Sequence, residues 1–426
     1  MTRLIATWVD KRLFPVPKGY LPREYLGRVR AILLALSNDP DPERDEAMQG
    51  GKLRDKEVPL IAHGHARPSA LSTLIIYASY RANLEPRPAG DGSSGVGDDS
   101  RLEPAVRDIL TRKLDREADP SWAVHSVYGE HLCRLYSLDS QWVDEHLERI
   151  FPASHEERLR WYFVAAWDSF ISENGWESFF GRAGEVRLNL LERMRGNYAR
   201  AIENLSNGWA TRSSSQPARD LAAHLLIEYL HADYDLRTED GQQSLIAQFY
   251  RSLPPVARAD AAWVLWNICS ERRKSLDTYW GRAVALWAWR VGEASSAGRH
   301  VDYDGEMNWF ALLLNLAIKR ETLTSLWPLL EGMVPHIARP GRHNSGWGDV
   351  ERYLAREVVR DPVGSIKLYY LMLTEYKESL LMFYPQEEGH KIVKTALASP
   401  DAQYDAREMI NFMARNGNRR FSMYLA

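Results

Sequence analysis

The sequence predicts an all-α protein whose helices stack as a helical-repeat solenoid, with a small N-terminal helical subdomain. The first observation is a repeated helix start: a proline stands nine residues before a tryptophan at Pro152 and Trp161, and again at Pro254 and Trp263. The second is the scarcity of strand signals, since the clearest run, 58–62, is short and contains a proline. Repeated helical units that bury their apolar faces against their neighbours are typical of solenoids.

Further helix starts are predicted where Asp or Ser precedes a proline. A side-chain oxygen at this place can accept hydrogen bonds from the free amides of the first turn, and proline is tolerated at the first helical position. Three such sites occur, at Asp119-Pro120-Ser121, at Asp361-Pro362 and at Ser399-Pro400. Each predicts a helix that is capped by the Asp or Ser before the proline and has the proline at its first position.

The organisation predicted along the chain has three parts. Residues 1–86 form an N-terminal helical region, residues 87–100 form a flexible linker rich in Gly, Ser and Asp, and residues 101–426 form the helical-repeat array. Shorter polar breaks, at 208–217 and 298–305 among others, divide the array into helical blocks of several tens of residues. This spacing suits stacked pairs of helices.

Composition narrows the class of protein. The chain has 426 residues, 45% hydrophobic and 26% charged, with a net charge of -3, so no overall field attracts it to DNA or to an anionic membrane. Its two cysteines, Cys133 and Cys269, lie in apolar helical runs and indicate no disulfide framework. No window has the length of a signal-peptide core or a membrane span. The sequence therefore predicts a cytoplasmic protein without a membrane partner.

Three patterns resemble metal-binding motifs, and each has a simpler interpretation. His63 and His65 follow a short apolar run, but a zinc hydrolase would need further ligands on later strands. The Glu-x-x-His spacing of helical di-iron sites occurs at 228–231 and at 387–390, where Gly389 interrupts the second copy. These positions are interpreted as a polar turn and as ordinary helix surface, so no metal and no cofactor is predicted.

No catalytic motif is present in the sequence, and no catalytic residue is assigned. One enzyme alternative remains, because Asp302, Asp304 and Glu306 precede an apolar helical run in a chain with 15 Trp and 20 Tyr. Paired carboxylates can act as acid and base in glycoside cleavage, and flat rings can stack on sugars. This alternative is a carbohydrate-active helical toroid. The simpler interpretation is that acids near a helix start complement the helix dipole.

A basic stripe supports a second alternative, a nucleic-acid-binding helical array. Arg187, Arg193 and Arg195 are its candidate phosphate contacts, with Arg182 and Arg200 on the same predicted helix. Glutamates are interleaved with these arginines, as is typical of a solvated helix face with ion pairs four residues apart.

The polar loop 339–348 is the candidate contact region for a protein partner. Arg342, His343 and Trp347 combine a charge, a titratable donor and a large ring, and Arg and Trp are favoured at binding hot spots. An ordinary surface connection explains the same composition.

Several longer segments together resemble a known class of proteins. They include VYGEHLCRLYSLDSQWVDEHLERIFP (127–152), WDSFISENGWESFF (167–180), WGRAVALWAWRV (280–291) and DAREMINFMARNGNRRFSMYL (405–425). Their order resembles the C-terminal HEAT-like or TPR-like regions of large bacterial anti-phage defence proteins, in which such an array follows an effector or nucleotide-hydrolysing module. The resemblance covers about residues 120–426, and the sequence contains no such module.

The resemblance implies a helical array that senses a ligand or docks a partner, and it transfers no catalytic residue. The function expected from the sequence is a non-catalytic scaffold or sensor subunit for protein–protein recognition in a bacterial defence system. Its expected partner is a protein, an effector or NTPase subunit or module, with nucleic acid as the alternative partner.

Overall fold

The structure is a computed structural model, and it describes most of the chain in segments. The described residues are 23–42, 64–84, 100–153, 156–173, 190, 193–209, 216–231, 244–271, 276–297, 302–317, 323–337, 345–377, 380 and 383–425. The predicted linker, apart from Ser100, and the strand-like run 58–62 lie outside them.

Every regular element in the described segments is a helix, so the predicted all-α class is confirmed there. The α-helices of the N-terminal half are α1 (Arg23–Leu36), α2 (Ala66–Leu84), α3 (Pro104–Lys113), α4 (Trp122–Glu130), α5 (Leu132–Leu138), α6 (Ser140–Ile150), α7 (Glu157–Glu173), α8 (Arg195–Ser206) and α9 (Gln216–His231). Those of the C-terminal half are α10 (Leu245–Ser252), α11 (Pro255–Glu271), α12 (Leu276–Ala297), α13 (Asp304–Ala311), α14 (Leu323–Ile337), α15 (Ser345–Glu357), α16 (Pro362–Glu375), α17 (Glu387–Ala398) and α18 (Gln403–Arg415). Short 3-10 turns cover Leu312–Asn315 and Ser422–Tyr424.

The chain divides by packing into two compact units, Met1–His224 and Leu225–Ala426. This division differs from the one expected from the sequence, which separated 1–86 from 101–426. Helix α2, which precedes the expected linker, packs against α3, α4 and α5, which follow it. The Gly/Ser/Asp composition of 87–100 could not reveal these contacts, because they form between apolar faces on either side of it.

In the unit Met1–His224, the most extensive packing between two described helices is that of α4 with α7. Gly129 makes the approach possible, because a Cβ at this position would collide with the Ala166 carbonyl of α7. Aromatic rings fill the space beside the contact: Trp122 lies 5.7 Å from Trp161, and Phe163 stacks on Trp167 at 5.9 Å between ring centroids. The aromatic anchors that predicted a helix after Pro152 are thus packing residues of α7.

In the unit Leu225–Ala426, helices pack in two rows. Helices α11, α13, α15 and α17 contact one another in series, and α12, α14, α16 and α18 do the same. Contacts between α11 and α12, α13 and α14, α15 and α16, and α17 and α18 join the two rows. Each inner helix of a row therefore contacts at least one helix of the other row and, on either side, a helix of its own row.

Of the three predicted helix starts, that at Asp361-Pro362 is confirmed, that at Asp119-Pro120 lies two residues further along, at Trp122 with Ser121 as the cap, and that at Ser399-Pro400 is wrong. Asp361 caps α16 by accepting a hydrogen bond of 2.7 Å from the Gly364 amide, and Pro362 is the first residue of that helix. Ser121 caps α4 by accepting from the Val124 amide at 3.3 Å. The prediction for Ser399 is wrong, since this residue ends α17 and the next helix begins only at Gln403. Its proline lies in the turn between the two helices, a place where proline is also common.

The tryptophans serve mainly as packing residues. Each tryptophan in the described segments is buried or half-buried, and Trp142 and Trp287 are wholly enclosed. This distribution offers no open row of indole faces for stacking on sugars or bases. None of the described helices combines the length and apolar character needed to cross a membrane.

Candidate functional site

A cavity of about 180 Å³ opens in the unit Met1–His224 beside α7 and α8. Its described lining residues are Pro152, Ala153, Arg160, Phe163, Arg200, Glu203 and Asn204. The apolar part of the wall is small, and two guanidinium groups and an amide supply hydrogen-bond donors. Such a wall is suited to a polar or charged group.

Helical spacing explains how these side chains converge. Arg160 and Phe163 are three residues apart in α7, and Arg200 and Asn204 are four apart in α8, so each pair shares one face of its helix. Phe163 is buried in the aromatic core described above, which fixes the floor of the cavity.

The two arginines are held by aromatic rings and by the backbone. The Arg200 guanidinium lies 5.1 Å from the centroid of the Phe163 ring, and its Nη1 donates a hydrogen bond of 3.1 Å to the Phe151 carbonyl. The Arg160 guanidinium lies 4.7 Å from the Trp209 ring centroid. Rings positioned in this way attract cations and limit their movement.

The charge of Arg200 is only partly compensated within the protein. Burial lowers the pKa of the Arg200 guanidinium from its usual value, against the opposing effect of the Glu203 and Glu148 charges. Among the described residues, neither Arg200 nor Arg160 has an ion-pair partner. The cavity therefore contains positive charge that a bound anion would neutralise.

Asn204 adds a donor that the described part of the chain does not use. Asn204 as a whole is 7% exposed, and its Nδ2 has no hydrogen-bond partner among the described residues. A buried amide nitrogen without an acceptor is costly, typically by about 1–3 kcal/mol. Glu203, the acidic side chain of the lining, is exposed to solvent and lies at the rim.

The predicted basic stripe is only partly brought together. Arg193 forms an ion pair with Asp144 and lies 5.6 Å from the Tyr136 ring centroid. Arg195 is half-buried at the start of α8 and has interactions of its own, while Arg187 lies outside the described residues. The arginine that sequence reasoning missed is Arg160. Its signal was the Arg-x-x-Phe spacing on an aromatic helix, which is too common to be recognised alone.

The acids of 302–306 lie in a buried ion network. Glu306 accepts hydrogen bonds from Arg290 Nε at 2.5 Å and from Arg290 Nη2 at 3.2 Å, and both side chains are 1% exposed. Arg258 Nε lies 3.5 Å from the second oxygen of Glu306. The buried Asp304 carboxylate lies 3.6 Å from His336 Nδ1. Asp304 and Glu306 are also in the first turn of α13, where acids favour the helix dipole.

This network gives the toroid alternative no support. A glycoside-cleaving pair needs two carboxyl groups facing a sugar in an open cleft. Here Glu306 is enclosed with Arg290, and Asp304 is enclosed with His336. Burial lowers the pKa of the Arg290 guanidinium, but the charge of Glu306, its hydrogen bond and the nearby tyrosines together outweigh burial and raise this pKa above its usual value.

The predicted contact loop is only partly described. Arg342 and His343 lie outside the described residues. Trp347 is 9% exposed, and its ring centroid lies 5.4 Å from that of Tyr376 and 5.7 Å from that of Phe383. The indole therefore belongs to an aromatic cluster of the unit Leu225–Ala426, and its ring is not open to a partner.

The histidines in metal-like patterns have other partners where they are described. His65 Nδ1 lies 2.7 Å from Asp41 Oδ1, and His390 Nδ1 lies 3.0 Å from the Tyr424 hydroxyl. His63 and the side chain of His231 are outside the described part. Over the segments that the structure describes, no group of three or more His, Cys, Asp or Glu side chains is arranged to hold a metal ion.

No protein-family model, curated protein sequence or solved structure matches this chain.

Proposed function

We propose that this chain is a non-catalytic helical scaffold or sensor subunit that binds another protein, with the helices of Leu225–Ala426 stacked as a HEAT-like or TPR-like solenoid. The observation that carries the proposal is the two-row packing of α11 to α18, in which each helix contacts the next but one along the chain. Stacked helix pairs in repeat proteins make this pattern, and they present extended surfaces on which partners bind.

The positions of the buried acids support a binding function over a catalytic one. The acids that could have served a hydrolase, Asp304 and Glu306, face His336 and arginines inside the unit. Large exposed side chains of the same unit, by contrast, are scattered: they include Val359, Tyr384 and Tyr404, each at least 71% exposed. Side chains of this kind can anchor a partner without any chemical step.

The biological setting follows from the resemblance of about residues 120–426 to helical regions of bacterial anti-phage defence proteins. In that setting, the chain binds an effector or NTPase and either positions it or reports infection to it. Nucleic acid is a less favoured partner, because Arg193 of the candidate stripe is already paired with Asp144.

Affinity capture from the native host tests this proposal. The tagged chain is recovered with and without phage infection and is compared with an unrelated helical protein that carries the same tag. Stoichiometric recovery of an effector or nucleotide-hydrolysing protein is expected with this chain alone. Recovery of the bare chain in both states would contradict the proposal.

Lysine cross-linking of the captured complex then locates the contact. Lys367, Lys391 and Lys394 are exposed on α16 and α17, and cross-links to the partner are expected from them. Lys113 is an internal control, because its Nζ lies 3.2 Å from the buried Asp119 carboxylate. Partner cross-links confined to other parts of the chain would show that the solenoid rows do not form the binding surface.

A further inference from the structure

We infer that the cavity between α7 and α8 binds a single anionic group, a carboxylate or a phosphate, on a side chain of a protein partner. The site lies wholly within Met1–His224 and is formed by Arg160, Arg200 and Asn204 over the Phe163 ring. That the anion belongs to a protein rests on the proposed function. That the cavity binds an anion rests on its own geometry.

The size of the cavity limits what can enter. A volume of about 180 Å³ is smaller than the roughly 300–1,000 Å³ of typical pockets for drug-sized ligands and cofactors. A carboxylate or phosphate on a short stem fits this space.

The donors of the cavity match an anion. Arg200 uses one N–H on the Phe151 carbonyl and keeps others for a ligand, and Arg160 also lines the cavity. Planar guanidinium groups bind carboxylates and phosphates through paired hydrogen bonds. Asn204 Nδ2, buried and without a partner among the described residues, would gain an acceptor.

The small size of the cavity and the surrounding charge favour a protein side chain over a nucleic-acid backbone. Pro152 and Phe163 provide a surface against which the methylene stem of an acidic residue can pack. Single-stranded nucleic acids are usually held by a long basic groove with exposed aromatic rings. Here the cavity is small, no tryptophan of the described segments is exposed, and the net charge of the chain is -3.

Short peptides test the site directly on the full chain. The probes are acetyl-Ala-Glu-Ala-amide, its phosphoserine counterpart and, as the neutral twin, acetyl-Ala-Gln-Ala-amide. Saturation-transfer NMR at constant ionic strength measures each dissociation constant. We expect a value on the order of millimolar for the glutamate peptide, the phosphoserine peptide or both, and no saturable binding of the glutamine twin. The comparison of the two anionic probes decides between carboxylate and phosphate.

Variants assign the binding to the cavity. Arg160→Gln and Arg200→Gln should each weaken binding of the anionic probe by about tenfold, the usual effect of losing a charge-assisted hydrogen bond. Glu203→Gln should strengthen it by about threefold, since it removes a like charge from the rim. This gain cannot result from misfolding. Arg193→Gln is the matched control, because Arg193 is paired with Asp144 and is not among the described lining residues, and it should leave binding unchanged.

Three results would overturn the inference: equal binding of the glutamate, phosphoserine and glutamine peptides, equal weakening by Arg193→Gln and Arg200→Gln, or no effect of Glu203→Gln on affinity. Competition experiments with inorganic phosphate and acetate distinguish failure of this inference from failure of the proposed function. If these ions compete for the site but no partner protein is captured, the cavity binds anions and the scaffold proposal fails. If a partner is captured but no anionic probe binds, the scaffold proposal stands and the cavity is not its site.

Discussion

Tyr369 of α16 donates a hydrogen bond of 2.9 Å to Glu351 of α15 in the interior of the unit Leu225–Ala426. Glu351 is 3% exposed, and its pKa is raised to about 7 by burial and by the nearby Glu388 charge, against the lowering effect of the Tyr369 hydrogen bond. Burial also raises the pKa of Tyr369 well above its usual value, so the phenol remains the donor. The pair joins the two rows of helices through one titratable contact.

The stability of the protein should therefore depend on the protonation of Glu351. Its folded-state pKa exceeds the ordinary value of 4.5, so folding favours the protonated form. The stabilisation is complete below pH 4.5 and is lost as the pH rises through about 7. Relative to Glu351→Gln, the wild-type free energy of unfolding should fall by about 2–3 kcal/mol between pH 5 and 8. Urea unfolding at four pH values measures the difference.

Glu387→Gln provides the control for this titration. Glu387 is exposed in the first turn of α17, so its replacement should leave the pH dependence of unfolding as in the wild type. If the free energies of unfolding of the wild type and of Glu351→Gln changed in parallel between pH 5 and 8, the raised pKa of Glu351 would be contradicted.

Gly389→Ala should destabilise the protein although alanine is the better helix former. A Cβ at Gly389 would collide with the Tyr369 hydroxyl and the Glu351 carboxylate, and forcing such groups apart costs about 1–3 kcal/mol. Gly281→Ala is the matched change, in an exposed position of α12 with open space around the added carbon. It should stabilise by up to about 1 kcal/mol. Urea unfolding measures the stability of both variants. A Gly389→Ala variant more stable than the wild type would contradict the close approach of Tyr369 and Glu351 to Gly389.

The Arg290–Glu306 pair should behave as a buried ion pair. Arg290→Met leaves the Glu306 carboxylate without its main partner and should cost about 3–5 kcal/mol. Adding Glu306→Leu should recover part of that loss, because the uncompensated charge is removed. The exposed pair Arg415–Glu408 provides the comparison. Glu408→Gln, which breaks this pair, should change the free energy of unfolding by less than about 1 kcal/mol. A double-mutant cycle by urea unfolding checks the coupling, and simple additivity would contradict it.

Asp361→Ala should remove the cap of α16 and lower the free energy of unfolding by about 1 kcal/mol. The Gly364 amide then loses its acceptor. Ser399→Ala should change stability by less than about 0.5 kcal/mol, because Ser399 ends α17 and caps no following helix. Thermal unfolding compares the two variants, and equal losses would mean that Ser399 also acts as a cap.

Short sequence patterns predicted the helices better than they predicted the cavity between α7 and α8. The Asp361-Pro362 start could be identified from the sequence because a cap involves residues only three apart. The cavity could not, because Arg160 and Arg200 stand forty residues apart and meet only when α7 and α8 pack. Trp347 illustrates the same limit, since a tryptophan in a polar loop looks exposed until Tyr376 and Phe383 close around it.

The sequence by itself determined the helical class, several helix ends and the aromatic character of the core, because all three depend on periodicity and on contacts within a turn or two. Only the tertiary structure decided which charges face one another. It enclosed Glu306 with Arg290, and it left Arg160 and Arg200 without carboxylate partners among the described residues. Charges interact through space, so their pairing depends on how distant helices pack.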